Sequence, residues 1–87
     1  MIVALIPAHD EAPRVGVVVS AAREHLPVIV VDDGSADDTA VVARDAGATV
    51  IEQRPNQGKG AALRTGFRRA LDDGAEAILT LDADGQH

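Results

Sequence analysis

The chain has 87 residues, no cysteine, one aromatic residue (Phe67), and 14 acidic against 8 basic residues. That length allows one small domain, burying only about 60–65% of the surface its unfolded form exposes. The missing cysteines exclude disulfides, thiolate metal sites and cysteine nucleophiles, and the acidic balance argues against a nucleic-acid or anionic-membrane partner surface.

Four short apolar runs alternate with three helix-like segments. Ile2-Val3-Ala4-Leu5-Ile6 has the pattern of a buried strand ending at Pro7. A helix is expected next, with Pro13 in its first turn and Val15, Val18, Val19, Ala22 and Leu26 forming one apolar stripe. Val28-Ile29-Val30-Val31 predicts a second strand running into Asp32-Asp33-Gly34, after which Ser35 suits a helix N-cap, with Asp38 completing a variant capping box. Ala40, Ala43 and Ala46 would let that helix lie close to a sheet, and Gly47 suits its C′ position. Thr49-Val50-Ile51 reads as a third, weaker strand, followed by a polar loop from Gln53 to Gly58. A third helix carries Leu63, Phe67, Ala70 and Leu71 on one stripe and ends near Gly74, and Ala77-Ile78-Leu79-Thr80-Leu81 forms the last strand, ending at Asp82.

Strands buried on both faces and joined by single helices predict an α/β fold, a parallel four-stranded sheet with right-handed crossovers. The apolar runs are too short to cross a bilayer, and no basic stretch precedes the first strand, so no secretory leader is expected. A soluble, cytoplasmic domain is the expectation. No internal repeat or linker interrupts the chain.

In an open parallel sheet, ligands bind outside the carboxyl ends of the strands. The residues expected there are Pro7-Ala8-His9-Asp10-Glu11, Asp32-Asp33-Gly34-Ser35 and Asp82-Ala83-Asp84-Gly85-Gln86-His87, which would gather carboxylates along one edge. Crowded acids raise one another's pKa unless a cation or a donor relieves them. Oxygen-only ligands point to a hard cation, Mg²⁺ or Mn²⁺. Asp82 and Asp84, one residue apart, can face the same side at a strand's end. Taken alone, Asp-Ala-Asp-Gly is equally a turn of exposed acids; its position after a buried strand favours the cation.

Asn56-Gln57-Gly58-Lys59-Gly60 opens a helix, where backbone N–H groups and Lys59 favour an anion. It is not a Walker A loop, since Gln53 and Gly60 stand where that motif needs Gly and Ser or Thr, and Leu63 breaks a G-x-G-x-x-G pattern. Arg64 and Arg68, one turn apart, read first as a solvated helix face, and His25 as a surface residue. No histidine has metal-ligand spacing.

Together, Ile6-Pro7-Ala8-His9-Asp10-Glu11, Val30-Val31-Asp32-Asp33-Gly34-Ser35-Ala36-Asp37-Asp38-Thr39, Asn56-Gln57-Gly58-Lys59-Gly60-Ala61-Ala62 and Asp82-Ala83-Asp84-Gly85-Gln86-His87 resemble the first half of a family 2 glycosyltransferase of GT-A fold. The last segment most resembles the dolichyl- or polyprenyl-phosphate sugar synthase branch. The resemblance covers the whole chain, and implies that residues 1–87 are the Rossmann-like, nucleotide-sugar-binding half of a domain whose acceptor half, or a partner chain supplying it, is absent.

The resemblance also implies roles. Pro7, Ala8 and Glu11 would line the nucleoside pocket, with Glu11 near the ribose. Asp33 would meet the base edge, supported by Asp32. Lys59 would lie near the nucleotide, with Arg64 a looser candidate. Asp82 would sit at the sugar-nucleotide edge, and Asp84 and Gln86, with Asp82, would hold Mg²⁺ or Mn²⁺ on the diphosphate, making Asp82 and Asp84 the catalytic pair. The implied reaction is inverting transfer from a UDP- or GDP-sugar, to an acceptor such as a polyprenyl phosphate at the cytoplasmic face of the membrane. One departure stands out: an Asn, often after an aromatic, commonly precedes the glutamate of the first motif, and here Asp10 and His9 occupy those places, which leaves the base open.

Three other readings compete. A signalling receiver also uses paired acids and a later Asp, but its paired acids follow the first strand and a lysine follows later ones. A sugar-phosphate nucleotidyltransferase would place a Gly-rich basic loop straight after the first strand. A non-catalytic interaction module predicts no metal-dependent nucleotide binding.

Overall fold

The computed structural model describes residues 1–84. Seven elements alternate along it: β1 (Ile2–Ala8), α1 (Ala12–Arg23), β2 (Val28–Asp32), α2 (Thr39–Asp45), β3 (Thr49–Glu52), α3 (Lys59–Asp72) and β4 (Ala77–Thr80). The strands form one parallel sheet in the order β3-β2-β1-β4. Ala4 to Ala8 register with Val28 to Asp32, so the carboxyl ends of β1 and β2 finish level. Pro7 does not stop β1, as the sequence suggested; it pairs with Val31, and the strand runs on to Ala8.

Side-chain alternation divides the core between the two sheet faces. Ala4, Ile6, Ala8, Val28 and Val30 pack on Val15 and Val19 of α1 and Ala43 of α2. Val3, Leu5, Ile29 and Val31 face the other way, toward Ala62 and Ala70 of α3. The stripe expected on α1 is observed: Val18, Ala22 and Leu26 complete it around the fully buried Val15 and Val19. Gly47 takes the C′ position of α2 at φ 107°, and Gly74 does the same for α3 at φ 92°.

Two expectations are corrected. The buried face of α3 is Ala62, Gly66 and Ala70, whereas Phe67 and Leu71 of the expected stripe are exposed. The cause is distance: a Cβ on Gly66 would overlap Leu5 and come within 2.8 Å of its Cδ2, so the helix sits at a depth only small residues permit. Nor does Ser35 cap α2. That helix begins at Thr39 behind Asp38, because the Ser35 hydroxyl is committed to the β1–α1 loop.

Full burial belongs to the two central strands, while β3 and β4 are half-covered edges. The edges differ in kind. Glu52 on β3 is paired with Arg44 and Arg54, while β4 presents Leu79, about half exposed, in register with Ala4 of β1. No helix among the described residues is long and apolar enough to cross a membrane.

Candidate functional site

β1 and β4 are neighbours although three helices and two strands separate them in sequence, so the strand order reverses between them. At their carboxyl ends lies a cleft of about 420 Å³, the position an open parallel sheet reserves for ligands. It brings together Pro7, Ala8, Glu11, Asp33, Lys59, Asp82 and Asp84 from the residues singled out in the sequence. Asp32 lies beneath the cleft rather than on its wall: it is 1% exposed, and its Oδ1 accepts the Ser35 N–H at 3.1 Å. Arg64 is exposed and does not line the cleft, and Gln86 lies outside the described residues.

Asp33 is the hub of one wall. Its Oδ1 accepts the Gln57 N–H at 2.8 Å and the Gln53 Nε2–H at 3.2 Å, and its Oδ2 accepts the Gly58 N–H at 2.8 Å. Its backbone carbonyl takes the Asn56 Nδ2–H at 2.9 Å and lies 2.8 Å from His9 Nδ1. Burial works to raise the Asp33 carboxyl. The donors from Gln57, Gln53 and Gly58, together with nearby His9, outweigh it and hold the group below the ordinary aspartate value. The acid thereby ties the β3–α3 loop to the end of β2.

The β1–α1 loop is fastened to the β2–α2 loop in the same manner. Asp10 N–H donates to Ser35 Oγ at 2.9 Å, while Asp10 Oδ1 accepts the Ala36 N–H at 2.7 Å. Glu11 N–H donates to Thr39 Oγ1 at 2.9 Å, and the Thr39 hydroxyl in turn donates to Asp37. Asp10 makes this exchange in the left-handed region, at φ 52°, which Asp and Asn tolerate better than other side chains. The Glu11 carboxylate, on the cleft, accepts from Arg14 Nε at 2.8 Å.

The opposite wall is sparser. Asp82 and Asp84 follow β4, with the buried Ala83 between them. Lys59, at the start of α3, reaches Asp82 Oδ1 at 3.2 Å across the cleft, with both side chains substantially exposed. The acids expected to crowd along this edge therefore do not form one cluster: donors relieve Asp10, Glu11, Asp32 and Asp33 separately. Among the described residues no group of three or more His, Asp or Glu converges to cage a metal. What the cleft offers is a short oxygen-only pair on one side and a lysine beside it.

His9, Asn56, Gly58, Ala62 and Ala83 also line the cleft, and Gln53 and Thr65 support Asp33 from behind. Gln53 follows β3 as Asp33 follows β2, so the strand-end rule points to it; nothing in the sequence marks Thr65.

The fold defines an α/β domain of the GT-A kind, with a cleft at the carboxyl ends of its central strands. The model of glycosyl transferase family 2 matches residues 3–87, and the chain belongs to that family. It is 31% identical over 106 residues to a UDP-N-acetylglucosamine–dolichyl-phosphate N-acetylglucosaminyltransferase of Methanococcus voltae, covering 100% of this chain and 42% of that one. It is 31% identical over 94 residues to an undecaprenyl-phosphate mannosyltransferase of Micrococcus luteus, covering 99% of this chain and 39% of the relative. Among solved structures, glucosyl-3-phosphoglycerate synthase from Mycobacterium tuberculosis, in complex with Mn²⁺, UDP-glucose and phosphoglyceric acid, superposes with a TM-score of 0.79 at 25% identity. That match covers 95% of this chain and 33% of the synthase. The chain thus spans under half the length of these three proteins.

Proposed function

We propose that residues 1–87 are the donor-binding half of an inverting glycosyltransferase, holding a nucleotide-diphosphate sugar with Mg²⁺ or Mn²⁺. The observation that carries this reading is the one cleft that joins Pro7, Ala8, Glu11 and Asp33 to Lys59, Asp82 and Asp84. A nucleoside fits the wall that is already hydrogen-bonded, and a diphosphate fits the wall with a lysine and two carboxylates. The related synthase holds UDP-glucose with Mn²⁺ and, in another complex, UDP with Mg²⁺.

The residues present suit such a cation. A hard divalent ion takes one or two carboxylates and completes its shell with water and substrate phosphates, and Asp82 and Asp84, with Gln86 beyond the described residues, offer oxygens only. When bound, the ion supplies charge neutralisation to the departing diphosphate. Lys59, which reaches across the cleft to Asp82, adds a positive charge beside these carboxylates. In this reading Glu11 meets the ribose and Asp33 the base.

The acceptor side belongs to polypeptide outside residues 1–87. The names of the two archaeal and bacterial relatives favour a polyprenyl phosphate, whose own oxygen attacks without a protein base, at the cytoplasmic face of a membrane. Calorimetry with UDP and GDP, with and without Mn²⁺, on wild type and Asp84→Asn tests the reading. Binding that needs Mn²⁺ and weakens about tenfold or more in Asp84→Asn is expected. Absence of binding by protein with a cooperative melting transition would overturn it in favour of a non-catalytic interaction module.

A further inference from the structure

The chain has eight lysines and arginines. Six of them hold an acid or a backbone carbonyl, whereas Arg64 and Arg68 hold neither among the described residues. Both are exposed, one turn apart on α3. Phe67 and Leu71 lie beside them, 37% and 63% exposed, because the close seat of Gly66 on Leu5 turns the larger side chains outward. At 3.6 residues per turn the four share the outer face of the helix, positive charge around an uncovered apolar strip. Asp72 lies about a quarter turn round the helix from that strip.

The complement to this face stands on the other side of the same molecule. Asp38, at the N-cap of α2, shares an exposed face with Val41 and Asp45, three and seven residues on. Neither acid has a side-chain partner among the described residues, and Val41 is 54% exposed. α2 packs on one face of the sheet and α3 on the other, so a single molecule cannot bring the two patches together.

We propose that the outer face of α3 docks on the α2 face of a second copy of this chain. Arg64 and Arg68 pair with Asp38 and Asp45, around a contact of Phe67 and Leu71 with Val41. The contact is independent of nucleotide and metal in the cleft. Because the two patches differ, it runs head to tail and propagates instead of closing on a dimer. One helix face per copy is small for an interface, and a net charge of −6 on each opposes approach, so association is weak and concentration-dependent. In about 0.15 M salt, where charges are screened beyond about 8 Å, repulsion between whole chains is damped more than attraction within touching pairs. An anionic bilayer would meet the same arginines, but it would leave the acids of α2 without a role.

The test is sedimentation equilibrium in about 0.15 M salt, up to about 1 mM protein. Wild type is compared with Arg64→Glu/Arg68→Glu and with Asp38→Lys/Asp45→Lys, with a melting curve for each. The apparent mass of wild type should rise with concentration without levelling at the dimer. Each variant alone sets like charges against each other and should associate at least about tenfold more weakly. An equal mixture of the two variants again sets opposite charges at every contact and should regain the wild-type rise, which a variant that had failed to fold could not do. Wild type that stays monomeric throughout overturns the proposal, and its sedimentation with phosphatidylglycerol vesicles would then give the α3 face to lipid. Variants that associate like wild type, or a mixture that does not regain the rise, overturn it as well. UDP binding by the same preparations is a separate measurement, so the donor-site reading stands or falls independently.

Discussion

The two walls of the cleft are built on opposite plans. On the Asp33 side, side chains and backbone N–H groups from three loops converge, and Asp10, Glu11, Asp32 and Asp33 each have a protein donor. On the opposite side, the exposed Lys59 reaches across to Asp82. The first wall is preorganised during folding, so on the proposed reading a base would meet hydrogen-bonding geometry whose entropy has already been lost. The second keeps the Lys59–Asp82 pair near solvent, where on the proposed reading the lysine would turn from the carboxylate to a diphosphate at little cost. The contrast teaches that acids of one type, on one sheet edge, serve different ends: Asp33 fastens loops together, while Asp82 makes an exposed pair with Lys59.

The sharpest way to break that comparison is to remove one acid from each wall. Asp33→Ala strands the Gln57 and Gly58 N–H groups and the Gln53 amide, and should cost about 2–4 kcal/mol of stability. Asp82→Ala should change stability by no more than about 0.5 kcal/mol. Urea denaturation of both variants measures the difference; equal losses would dissolve the distinction.

A smaller effect follows from protonation. The Asp33 carboxyl is lowered on folding, so its contribution is complete above the ordinary aspartate value, about 3.9, and is lost as pH falls through the lower folded value. Stability measured against pH should therefore show an acid limb below about pH 4 that is flatter in Asp33→Asn than in wild type. The smallest effect is assigned to Lys59→Ala. The exposed pair with Asp82 should be worth about 0.5 kcal/mol or less to folding, while UDP binding weakens several-fold and loses part of its salt dependence in a calorimetric titration.

The walls were also unequally legible. Asp82 and Asp84 are readable because an apolar run ends on them. The β1 and β2 ends are readable for the same reason, and alternation fixed the four strands to within a residue or two. The support behind Asp33 was hidden, since Gln53 and Thr65 lie 12 positions apart and meet only when α3 settles on the sheet. The depth of that helix was hidden too. A hydrophobicity pattern nominates Leu63, Phe67 and Leu71, but close approach to Leu5 selects Gly66 and its small neighbours. Ser35 misled for a related reason: a hydroxyl can cap only one helix or fasten one loop, and Asp10 claims it.

Asp10 itself changes meaning in this light. Its backbone turns where few side chains are comfortable, and its side chain must offer an acceptor to Ala36. Glycine satisfies the first demand and fails the second; most polar residues do the reverse. Asparagine and aspartate satisfy both, so at this position they are two spellings of one instruction. Only His9 Nε2, 3.3 Å from the Asp10 carboxylate, reads them differently.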